Sequence, residues 1–248
     1  MLQSDVMTVF IAAMITAIAT GLGALPFLYF KSVSDRVIAL TNAAAAGLML
    51  AACHGLIAEG IAISPERTLL GILAGLAGIV IGQRIIDGSH APEISNLKGL
   101  DAKKALLIVG VMTVHSFAEG VGVGVSFGGD GELAGFISTA IAIHNIPEGL
   151  AIALILVPRG TTVLAAALWA IFSSLPQPIM AVPSFLFVET FEPFLPFGFG
   201  LAAGAMIWMV FAELIPESNE NAEATSVATT VTLAFTAMLA FQYLLLKH

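Results

Sequence analysis

Residues 133–157 read LAGFISTAIAIHNIPEGLAIALILV, a run of 25 residues whose only ionisable members are His144 and Glu148. About 20 mostly apolar residues suffice to cross a bilayer as a helix, so this stretch predicts a transmembrane helix. A strand is the poorer reading, because the run lacks dyad alternation and barrel spans are only about ten residues long. Read outward from it, the chain holds eight such runs, approximately 6–30, 36–63, 68–87, 104–127, 133–157, 161–188, 194–216 and 224–246. The fold expected is an all-α integral membrane protein of eight transmembrane helices. Runs one, two and six exceed the required length and have room to tilt or kink.

Composition points the same way. Of 248 residues, 58% are hydrophobic and 10% charged, with a mean hydropathy of +0.98. A soluble domain carries about 25% charged residues. Nine Lys and Arg against seventeen Asp and Glu leave a net charge of −8. Without a basic footprint, nucleic-acid binding is excluded. Cys53 is the single cysteine, so no internal disulfide forms. The opening MLQSDVMTVF has no positively charged n-region, and the first apolar run is expected to be retained. The longest polar connection, Asp87 to Lys104, is a short loop. One transmembrane domain over residues 1–248 is therefore expected.

Positive charges set orientation. With the N-terminus outside, the inner connections receive Lys31, Arg36, Arg84, Lys98, Lys103, Lys104 and Arg159, and the outer ones Arg67 and Lys247. Both termini are expected outside, although the seventh connection, PESNENAEA, is then acidic and inside. The membrane expected is a bacterial inner or plasma membrane. Small residues form packing faces: Gly71, Gly75, Gly78 and Gly82 on span three, Ala43 to Gly47 on span two, and GVGVG on span four.

Ionisable side chains at mid-depth cost roughly 3 kcal/mol each on insertion scales and mark function by default. Span four, LLIVGVMTVHSFAEGVGVGVSF, carries His115 and Glu119; span five carries His144 and Glu148. Each pair is spaced i, i+4, which puts both side chains on one helix face. The spans are consecutive and so antiparallel, and each carries H-[SN]-x-x-E-G. Two such copies can face each other near the midplane, where transporters build their sites. Two imidazoles and two carboxylates suit a divalent first-row cation, and two Glu supply its compensating −2. Pro147 frees the Ile143 carbonyl beside His144. Pro176, Pro178 and Pro183 break span six around Gln177, and a kink alone is one reading of them.

These segments are recognisable. HSFAEGVGVG and HNIPEGLAIA resemble the fourth and fifth transmembrane signatures of the ZIP (Zrt/Irt-like) family of metal transporters. GAMIWMVFAELIPES resembles the segment ending in ELIPES of its bacterial branch, and SLPQPIMAVPSF a plant-and-bacterial subgroup. The resemblance implies import of divalent metal into the cytoplasm, with elevator-like sliding of part of the bundle. Zinc is the first candidate, with iron, manganese and cadmium as others. By position, it implies a first metal site of His115, Glu119, His144 and Glu148, with Met49 of GLML as a further ligand. It implies a second site at Ser116, Asn145 and Gln177 alongside the shared glutamates. Those three are weaker or neutral groups where the bacterial branch often has Asn, Asp and Glu, and a single tightly held metal is expected. Glu213 could receive metal leaving the centre; the family's preceding His is Ala212 here. His54 and Glu59 are five apart, either an entrance or a hydrogen-bonded pair, and His90 reads as loop.

Two other classes were weighed. An intramembrane metal-dependent hydrolase lacks its H-E-x-x-H motif in this sequence, and four protein ligands leave little room for an open catalytic position. A proton-coupled exporter or a channel for another cation is the third class. No catalytic cofactor is expected. The expected partners are the lipid bilayer, divalent metal ions and, as one option, a second copy in a homodimer.

Overall fold

The computed structural model describes residues 2–29, 34–88, 100–128 and 131–246, and no strand occurs among them. Lys31, His90, Lys98 and Lys247 lie outside the described residues, as does the side chain of His144. The helices are α1 (Leu2–Leu22), α2 (Pro26–Tyr29), α3 (Asp35–Ile63), α4 (Pro65–Gly88), α5 (Leu100–Gly128) and α6 (Gly131–Leu156). They continue as α7 (Val163–Ser174), α8 (Pro176–Leu186), α9 (Val188–Phe191), α10 (Leu195–Met209), α11 (Ile215–Asn221) and α12 (Ala224–Leu246). Joined across their breaks, they make eight segments long and apolar enough to cross a membrane. The chain is an integral, multi-pass membrane protein.

Proline decides where the ladders break. At Pro26 the missing N–H ends α1, and Leu25 N–H instead donates to the Leu22 carbonyl at 3.0 Å. The first span is thus a helix, a turn and a short helix rather than one rod. Span six divides at Leu175, so that Pro176, Gln177 and Pro178 open α8. Pro147, in contrast, sits inside an uninterrupted α6. In span seven Pro216 offers no N–H to Ala212, and the ladder widens into one π turn, Val210–Leu214, with Ile215 N–H reaching the Val210 carbonyl. Such turns cluster at functional sites. The acidic PESNENAEA connection is largely helical. Its first six residues continue as α11, where Ser218 and Asn219 hydrogen-bond back to the carbonyls of Leu214 and Ile215. Between α6 and α7 the chain turns through Gly160, at φ +97°, before Thr162 caps α7 by accepting from Ala165 N–H.

Glycine sets how closely the helices approach. A methyl built on Gly149 of α6 would lie 1.7 Å from the Thr20 carbonyl of α1. One on Gly120 or Gly124 of α5 would lie 2.6 Å or 2.2 Å from the backbone oxygens of Gln177 and Ala181 in α8. Similar approaches join α4 to α10 (Gly75 to the Leu201 oxygen, 2.1 Å) and α3 to α12 (Gly47 to the Val231 oxygen, 2.3 Å). With α5 also packed on α6, α1 on α7 and α8, and α3 on α10, these approaches group α1, α5, α6, α7 and α8 as one body and α3, α4, α10 and α12 as another. Between the bodies the glycine contacts are ordinary: Gly122 meets Phe199 at 3.7 Å and Gly198 meets Ala118 at 3.5 Å. Of the expected stripe on α4, Gly71 and Gly75 meet α10, whereas Gly78 and Gly82 have nothing within 4 Å.

This packing makes a direct prediction. Gly149→Ala forces α1 and α6 apart and lowers stability by about 1–3 kcal/mol, the usual cost of overpacking. Gly78→Ala leaves it unchanged. Thermal unfolding of the two variants in the same detergent checks both, and equal midpoints would contradict the assignment.

Candidate metal centre

The i, i+4 spacing on α5 does what helical geometry requires. His115 and Glu119 stack on one face, with His115 Nε2 3.4 Å from Glu119 Oε1. From α6, Glu148 Oε1 comes within 2.9 Å of the same nitrogen. Ligand atoms of His115, Glu119 and Glu148 all lie within 4.8 Å of one another, and the three residues are buried. A single cation could touch all three. His144 lies one turn before Glu148 in α6, so its backbone belongs to the same body.

Both carboxylates sit where water is largely excluded, and an uncompensated charge there is costly. Their neighbours are polar. Gln177 Nε2 donates to Glu119 Oε2 at 2.5 Å, while Gln177 Oε1 accepts from Asn145 Nδ2 at 3.1 Å and lies 2.6 Å from the Thr16 hydroxyl. Asn145 Nδ2 also donates to the Thr16 carbonyl at 2.8 Å. One turn along, the hydroxyls of Thr20 and Ser174 share a 2.7 Å hydrogen bond. Asn145 and Gln177 are therefore adjacent to Glu119. Ser116 is buried, and its Oγ has no hydrogen-bond partner among the described residues.

The other expected positions come from further elements. Met49 is buried in α3, on the second body, one turn before Cys53. Glu213 occupies the π turn, half-buried and outside the His115–Glu119–Glu148 cluster. His54 is exposed, whereas Glu59 lines a cavity, so the two do not share a face. That cavity, of about 750 Å³, runs from Glu59 and Glu192 at one end of the bundle to Glu119 at its floor. Near the opposite end, Arg159, which follows α6, donates to Glu217 of α11 at 2.9 Å, joining the first body to the segment that continues span seven.

Two residues near the centre escaped the sequence reading. Thr16 and Thr20 repeat at i, i+4 in the apolar part of α1 that follows Thr8, a polar seam that could have been noticed.

Comparison with known proteins agrees with the geometry. A plant protein of Arabidopsis thaliana, whose name assigns it provisionally to zinc transport, is 45% identical over 94% of this chain, which spans only 38% of that protein's length. The zinc transporter GufA of Myxococcus xanthus is 30% identical, covering 85% of this chain and 88% of its own length. ZIPB, a zinc transporter of Bordetella bronchiseptica, is 34% identical, covering 89% and 76% respectively. The ZIP zinc transporter family model matches residues 87–242, the segment that carries both His–Glu helices, the Gln177 break and the π turn. The chain belongs to the ZIP zinc transporter family.

Proposed function

We propose that this chain carries divalent metal cations, zinc first among them, across the membrane into the cytoplasm through a site of His115, Glu119, His144 and Glu148. The observation that carries this is the convergence of three buried ligand groups within 4.8 Å, on helices of a family whose named members are zinc transporters. Imidazole and carboxylate hold such ions without the near-permanent grip of thiolates. Two glutamates match the charge of one divalent ion. Iron, manganese and cadmium share that chemistry and are the metals to test in competition. Met49 and Glu213, on the opposing side, would meet the ion as it arrives or leaves.

Direction follows from charge and cavity together. The positive-inside bias puts both termini outside, in an inner or plasma membrane. The end of α3 bearing Glu59 is then outer, and the cavity leads inward from there to Glu119. Arg159 and Glu217 close the other end. The packing supports sliding as the means of exchange. All four ligands ride on the body of α1, α5, α6, α7 and α8, which close glycine approaches hold together and whose glycines meet the second body at ordinary separations. The Arg159–Glu217 pair must then part for inward release. The unit of transport is this single bundle of eight spans.

Uptake of radioactive zinc into proteoliposomes tests the reading. The double variant Glu119→Ala and Glu148→Ala should fold, since alanine is tolerated in lipid, yet lose uptake altogether. Wild-type uptake by a well-folded double variant would sink the proposal. The ion pair has its own test: Arg159→Ala, Glu217→Ala and the combination should change initial uptake by one common factor. Roughly two- to fivefold fits a partly exposed pair worth up to about 1 kcal/mol. Effects that simply multiply would show that the two residues act separately.

A further inference from the structure

The hydrogen bonds beside Glu119 have a direction, and that direction can be deduced rather than assumed. An amide's oxygen and nitrogen must be assigned from their surroundings. The Thr16 backbone carbonyl has no choice of role, because it can only accept. Asn145 lies 2.8 Å from it and must present Nδ2. The same Nδ2 lies 3.1 Å from Gln177, which must answer with Oε1. The Thr16 hydroxyl, 2.6 Å from that oxygen and 2.7 Å from the Ala13 carbonyl, has one proton for two acceptors, so the Asn145 bond carries the assignment. Gln177 is left with Nε2 toward Glu119, 2.5 Å from Oε2. Reversing any one amide would set oxygen against oxygen or N–H against N–H within a buried cluster, where each unmade bond costs about 1–3 kcal/mol.

We infer that Gln177 is a positioning residue whose amide, oriented by Thr16 through Asn145, engages one oxygen of Glu119 and thereby limits the centre to a single cation. This rests on the metal-site reading above. The relay occupies Glu119 Oε2 with a donor, and a donor repels a cation. Oε1, facing His115, is the oxygen without that competing donor. The residues around the relay add no charge to hold a second ion. Ser116 Oγ and Asn145 Oδ1 are buried without partners among the described residues, but both are neutral oxygens, suited to water. A second divalent ion would bring the total to +4 against the −2 of Glu119 and Glu148, at separations where like charges repel strongly. The helix break contributes directly. Pro176 and Pro178 bracket Gln177 in the first turn of α8, and Gly120 lets its backbone approach α5 at a distance no side chain would allow.

The test is a count of metal on the purified full-length chain, with zinc alone as the probe, by equilibrium dialysis and elemental analysis. Wild type should retain one zinc per chain, and Glu148→Ala should retain none. In Gln177→Glu a carboxylate faces Glu119 where the amide donated, and a cation between them relieves the repulsion. That variant should retain two, a doubling that loss of packing alone would not produce. Melting temperature establishes that it is folded. Two tightly held zinc ions in wild type, lost in Glu148→Ala, would overturn the inference while leaving the transport site intact. A folded Gln177→Glu that still holds one would overturn it as well. Zinc that stays bound in Glu148→Ala would overturn the site itself and this inference with it. If Gln177→Glu does not fold, the wild-type count still decides.

Discussion

Two carboxylates buried in the middle of a lipid-spanning bundle are the constraint on which the rest depends. A charge at that depth costs several kcal/mol unless something nearby answers it. Here Glu119 and Glu148 are answered by one imidazole between them and, for Glu119, by an amide. Neither supplies full positive charge permanently. A divalent cation does, and a site whose protein partners leave that deficit has affinity for one. The same deficit keeps the affinity finite, since nothing in the cluster resembles the thiolate cages that retain metal.

Holding the pair in place needs close backbone packing, and the glycines serve that end. Gly120 and Gly124 bring α5 against α8, and Gly149 brings α6 against α1. Those helices bear Glu119, Glu148, Gln177 and Thr16, so the tightest approaches coincide with the elements of the polar cluster. A side chain at any of these glycines would separate groups now within hydrogen-bonding range. The looser seam toward α3 and α10 has no comparable polar knot among the described residues. The closest backbone packing therefore coincides with the polar cluster, and the glycines facing the other body meet it at ordinary separations.

How much of this was legible in the sequence differs by level. The eight spans were, because hydropathy over about 20 residues is a summed signal that no single residue can spoil. The meeting of His115, Glu119 and Glu148 followed from helical periodicity and the antiparallel run of two consecutive helices. What lay hidden depended on partners remote in the chain. Thr16 and Gln177 are 161 residues apart, and a threonine in an apolar helix carries no mark of its partner. The α4 glycines show the same limit: identical spacing puts Gly71 and Gly75 against α10 and leaves Gly78 and Gly82 open. Hydropathy alone also ended span seven near Pro216, whereas the helix continues through the acidic residues to Asn221.

Proline links these levels. In an ordinary helix it is an interruption to be tolerated; here each interruption supplies geometry that a straight helix lacks. At Leu175 it restarts the helix so that Gln177 points an amide at Glu119 rather than bonding lipid-facing backbone. At Pro216 it widens the ladder into the π turn that carries Glu213. At Pro147 it frees the Ile143 carbonyl one residue before His144 without breaking α6. Irregular backbone at membrane depth is stable only where protein or a cavity satisfies it. The two breaks and the Pro147 site therefore fall on helices that line the centre or its surroundings, whereas α4 and α12, the most lipid-exposed of the long helices, run unbroken.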